Sequence, residues 1–108
     1  MTLRIPERDW KVLRSLKDRA IDRHCKRILS EVAELAGDDG GDAHRRYLEV
    51  FRVIMDRNEE VAETFDALGR GNAIFKLCWM RRLGLLTDEE FSRFSDETRE
   101  TIERFLSG

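Results

Sequence analysis

Residues Ala73-Ile-Phe-Lys-Leu-Cys-Trp-Met80 decide the fold of this chain. At about 100° per residue their apolar side chains point in every direction around a helix, interrupted only by Lys76. A helix that is apolar on all sides must be covered, either by its own chain or by a partner. Asn72 before it reads as a cap and Gly84 after it as a left-handed stop, so a central apolar helix is expected over about residues 72–83. Composition and punctuation leave open whether that helix is the core of a monomer or is shared between two copies.

Around this centre the composition favours helices. The chain has 108 residues, enough for a single helical domain over 1–108 with a modest core and no need of disulfides or metal. Charged residues make up 39%, proline occurs once, at Pro6, and tyrosine once, at Tyr47. Alternating apolar and polar runs are missing, so no β-sheet is expected. The reading is an all-α fold, a compact bundle of five or six helices around the 72–83 helix.

Working outward, Pro6 with Glu7 and Asp9 marks a helix start, because proline suits the first turn and acids suit the positive end of the helix dipole. Apolar residues recur at three- and four-residue spacing from Trp10 through Leu13, Leu16, Ala20, Ile21, Cys25, Ile28, Val32 and Leu35, which predicts helix over about 6–36. The loop Gly37-Asp38-Asp39-Gly40-Gly41 ends it, and Asp42 caps a second helix with Tyr47, Phe51, Ile54 and Met55 on one face. Asn58 with Glu59 and Glu60 predicts a separate short helix carrying Val61, Phe65 and Leu68. Gly69-Arg70-Gly71 is the next break. Thr87-Asp88-Glu89-Glu90 reads as a capping box, with Leu86 and Phe91 as its hydrophobic staple. Ser95 starts the last helix, to which Phe94, Ile102, Phe105 and Leu106 give an inner face.

The run Arg82-Leu-Gly-Leu-Leu-Thr-Asp-Glu-Glu-Phe91 is similar to the turn of short C-terminal helical-hairpin modules. The resemblance covers less than a fifth of the chain. It implies a helix–turn–helix geometry there and no family.

Chemistry-bearing clusters are few. His24 and Cys25 are adjacent and point about 100° apart on a helix, so they cannot serve one ion together, and no Cys-x-x-Cys or His-x-x-x-His spacing supports them. The acidic loop 38–42 fails as an EF-hand, because its third and sixth places hold Gly40 and Ala43. Two histidines and no Gly-x-Ser-x-Gly elbow give no nucleophile–base pair. Cys78 lies within the apolar helix, where burial suppresses thiol reactivity. No enzyme activity, metal or cofactor is expected. Cys25 and Cys78, far apart, read as buried reduced thiols, Cys25 packing in the core on the stripe of Ile21 and Ile28. With neither a leader-like apolar N-terminus nor an apolar run of about 18 residues, a cytoplasmic protein with no membrane contact is expected.

The net charge of −2 provides no global field for nucleic acid, but its distribution is uneven: residues 1–36 carry +3 and residues 37–108 carry −5. Arg19, Arg23 and Arg27 line one ridge at four-residue spacing, softened by Lys26 pairing with Asp22. Such a row calls for an anionic neighbour. The acidic half of the same chain, with Glu59, Glu60 and Glu63, is one answer; an acidic protein or a phosphate backbone is another. Against DNA reading, the helix after Asn72 presents Ala73, Ile74 and Phe75 where polar base-reading side chains belong.

The sequence names no biochemical activity. The preferred expectation is a non-catalytic protein–protein interaction or adaptor module forming a homodimer through Ile74, Phe75, Trp79 and Met80, with Arg19, Arg23, Lys26 and Arg27 as a partner-binding ridge. The alternative is a nucleic-acid-binding regulator using that ridge, which predicts binding that weakens steeply with salt.

Overall fold

The computed structural model describes residues 4–38 and 40–108; residues 1–3, read above for a leader, and Asp39 of the acidic loop lie outside the described residues. Pro6, extended at φ −60°, hands the chain to α1, Glu7–Gly37. The Asp42 carboxylate accepts from Arg45 N at 2.7 Å and starts α2, Ala43–Phe65. Then come α3 (Ala73–Arg82), α4 (Asp88–Phe91) and α5 (Asp96–Ser107). The fold is all-α, with five helices and no strand among the described residues.

Two punctuation readings need correction. No break occurs at Asn58: α2 runs unbroken through it, because the apolar spacing continues into Val61 and Phe65 and nothing there forces a turn. Asn72 holds the N-cap position of α3 without capping it. Its side chain instead accepts from Gly69 N and donates to Ala67 O, both at 2.9 Å, locking a turn in which Ala67 itself is left-handed at φ 55°. Gly84 is the left-handed stop after α3 at φ 69°, and Thr87 with Glu90 forms the full capping box of α4.

The core joins Trp10, Leu13, Leu16 and Ala20 of α1 to Ile74, Leu77 and Met80 of α3, Leu85, Phe91 and Phe94 of the α3–α5 connection, and Ile102 of α5. Asp9 ties this head together. It is fully buried and accepts from Ser95 N at 2.7 Å and from Ser95 Oγ and Thr98 Oγ1 at 2.6 Å, so a carboxylate at the start of α1 satisfies the start of α5. Burial alone would raise the Asp9 pKa; the three donors outweigh it and hold the carboxyl below its ordinary value.

Core residues stop at His24 on α1 and begin only at Thr64 on α2. Between them, among the described residues 25–63, no side chain is buried, and Cys25, expected in the core, is exposed because it lies beyond the end of the head. The far half of α1 and most of α2 therefore form an arm with no closed core. The molecule measures 53 × 26 × 24 Å, with a radius of gyration of 16.7 Å against about 13 Å for a compact chain of this length. The arrangement is thus more extended than the compact bundle expected from the sequence.

Candidate interaction surfaces

The basic ridge turns inward along half its length. Arg23 donates through both terminal nitrogens to the Glu90 carboxylate at 2.5 and 3.0 Å and also to Leu85 O. Glu90 is buried, and the Arg23 guanidinium, aided by the Thr87 backbone N–H, holds its carboxyl at a pKa of about 2 despite that burial. Arg27 donates to Leu83 O and Gly84 O, carbonyls left open at the end of α3. Arg19 stands 3.7 Å from Glu90, and Lys26 pairs with Asp22 at 2.9 Å. The anionic neighbour of the ridge is therefore Glu90 and a helix C-terminus, not Glu59, Glu60 and Glu63.

Of those three acids, Glu60 reaches α1 by another route. It bonds His24 Nε2 at 2.8 Å and Arg57 at 3.0 Å, and Arg57 bonds Glu31 at 3.0 Å. This chain stitches α1 to α2 where the arm leaves the head, around a cavity of about 140 Å³. His24 Nδ1 is buried there with no hydrogen-bond partner among the described residues.

The four residues expected to mediate self-association separate into two pairs. Ile74 and Met80 sit inside the chain's own core and offer nothing to a second copy. Phe75 and Trp79 face out. With Cys78, Arg82, Phe105 and Leu106 they line a groove of about 180 Å³ between α3 and α5, in which the Phe75 and Phe105 rings stand 6.1 Å apart. Arg82 stacks over Trp79. Burial pushes the Cys78 thiol up, against the pull of Arg82. The apolar helix is covered mainly by its own chain, with one side left open.

A larger apolar surface lies on α2. Tyr47, Leu48, Phe51, Ile54 and Met55 are each between 43% and 64% exposed. At about 100° per residue they share an arc of roughly 120°, its centre turned from the line of Val50, Val53 and Arg57 by about 130°. The latter line is half-buried and includes the Arg57 bond to α1. The α2 helix is thus apolar on two sides, and α1 covers only one. The sequence carried this signal in Val53, about 160° from Phe51 and about 100° from Ile54, with Val50 lying between the two sides.

No protein-family model, no curated protein and no solved structure matches this chain. Among the described residues, no group of three or more His, Cys, Asp or Glu is placed to hold a metal ion, and no helix is long and apolar enough to cross a membrane. The geometry of these surfaces is therefore what bears on function.

Proposed function

We propose that the protein is a non-catalytic protein–protein interaction module that self-associates, and that the contacting element is the outward arc of α2, not α3. One observation carries this reading: an arm without a single buried side chain among its described residues exposes Tyr47, Leu48, Phe51, Ile54 and Met55 side by side. A two-helix hairpin cannot enclose an apolar face alone, whereas two hairpins packed together form a four-helix core. Area supports the same reading. The chain exposes 7104 Å², against about 6,200 Å² for a compact monomer of 12.7 kDa. The excess, about 900 Å², is close to the roughly 800 Å² that each partner buries in a standard interface.

The nucleic-acid reading draws no support from the ridge, because Arg23 and Arg27 spend their donors on Glu90 and on backbone carbonyls. The test is amide hydrogen exchange at low and high protein concentration. The expected result is concentration-dependent protection over residues 44–57, with residues 73–82 unchanged. Protection rising over 73–82 while 44–57 stays constant would return the contact to the apolar helix and overturn the assignment to α2.

A further inference from the structure

We infer that two copies pair α2 against α2 in antiparallel direction, with Arg45 of each copy beside Glu59 of the partner subunit. This rests on the self-association reading above and adds the direction and register of the contact.

The argument comes from the edges of the exposed arc. Leu48, Phe51, Met55 and Asn58 follow one another at spacings of three, four and three, the seam of a helix pair. On one side of that seam, seven residues apart, lie Tyr47, Ile54 and Val61, all apolar. On the other side, again seven apart, lie Arg45, Arg52 and Glu59, all charged and exposed. In a parallel pair each helix sets its left flank against its partner's right flank. Arg52 would then press on a tyrosine and Glu59 on an isoleucine, covering charges that have no counter-ion there.

An antiparallel pair sets like flanks together. With Phe51 level with the partner's Met55, Ile54 meets its own copy near the two-fold axis, and Tyr47 faces the partner's Val61. On the opposite flank Arg45 comes beside the partner's Glu59 at both ends of the contact, and Arg52, exposed at the edge, meets its own copy near the axis. Among the described residues Arg52 and Glu59 form no ion pair within the chain, and Arg45 has only an exposed contact with Glu49 at 3.3 Å. The interface therefore meets charges that are free to respond. A two-fold axis closes such a contact at two copies, because each surface is used on both sides.

The experiment uses the full chain with Cys25→Ser and Cys78→Ser, to which Phe51→Cys or Met55→Cys is added. Oxidation is followed for each variant alone and for an equal mixture, alongside sedimentation. The expected result is a disulfide-linked dimer that forms several-fold faster in the mixture than in either variant alone. Equal cross-linking of Phe51→Cys with itself would show a parallel pair and overturn the inference. A dimer by sedimentation with no cross-link in any sample would overturn the register while leaving self-association standing, and a monomer throughout would overturn both. Independently, Arg45→Glu should weaken the dimer about tenfold, equivalent to roughly 1.4 kcal/mol, and adding Glu59→Arg should restore it. Failure of that rescue would contradict the charge pairing.

Discussion

Arg23 on α1 grips Glu90 on α4 through both terminal guanidinium nitrogens, across 67 positions of sequence. The same carboxylate accepts the Thr87 N–H, so the cap of α4 and the brace to α1 are one group. A sequence row of like charges is thereby converted into an internal fastening of the α3–α4 turn.

Replacing Arg23 with Met should leave a buried carboxylate without its cation. Arg23 is about one-third exposed, so water recovers part of the loss, and the expected destabilisation is about 2–3 kcal/mol in urea unfolding. A change below about 0.5 kcal/mol would show that the pair is a passive contact. Lys26→Met, which removes an exposed partner of Asp22, should change stability by less than about 0.5 kcal/mol.

Acid should unfold the head by titrating Glu90 and Asp9. Both carboxyls have folded pKa values below their ordinary ones, so the folded chain binds fewer protons than the unfolded chain at acid pH. Their stabilisation is complete above the unfolded values of about 4–4.5, and it is lost as pH falls toward the folded values, about 2 for Glu90. Urea midpoints taken from pH 5 down to pH 2 should fall steadily, and Glu90→Gln should flatten that slope. An unchanged slope in Glu90→Gln would place the acid sensitivity elsewhere.

Gly84→Ala should cost about 1–2 kcal/mol. The added methyl would meet the Arg27 guanidinium at an ordinary 3.6 Å, so the cost is the left-handed backbone at φ 69° and not crowding. Gly37, with open space around it and no positive φ, serves as the control. Thermal melts of the two alanine variants check the difference, and equal effects would contradict it.

Phe51→Glu and Ile54→Glu should abolish self-association while leaving the head's unfolding transition within about 0.5 kcal/mol of wild type, since both side chains are about half exposed and lie outside the head's core. Trp79→Ser should leave the dimer intact. A dimer lost in Trp79→Ser and retained in Phe51→Glu would reverse the assignment.

Local signals were readable where one residue type meets one backbone need. The Thr87–Glu90 box, Gly84, Asp42 and Ser95 all stand where their chemistry placed them. The helix count was legible for the same reason, apart from Asn58, whose acid-following pattern imitates a start inside a continuous α2. Long-range partners were not legible: nothing in the spacing of Arg19, Arg23 and Arg27 distinguishes Glu90 from Glu59, Glu60 and Glu63. Asp9 reads as an ordinary first-turn acid of α1, and only tertiary packing aims it at Ser95 and Thr98. The apolar helix led to the right centre, but two of its four candidate contact residues, Ile74 and Met80, lie buried within it. Coverage of Ile74 and Met80 depends on which helices reach them, and the exposure of Phe51 and Ile54 on how far α2 projects beyond the head.

The central claim, self-association through α2, is tested most directly by the mass of the native chain in solution. Light scattering on wild-type protein at high micromolar concentration should give twice the 12.7 kDa chain mass, and the same measurement on Phe51→Glu should give 12.7 kDa. A wild-type mass of 12.7 kDa at that concentration would contradict the account.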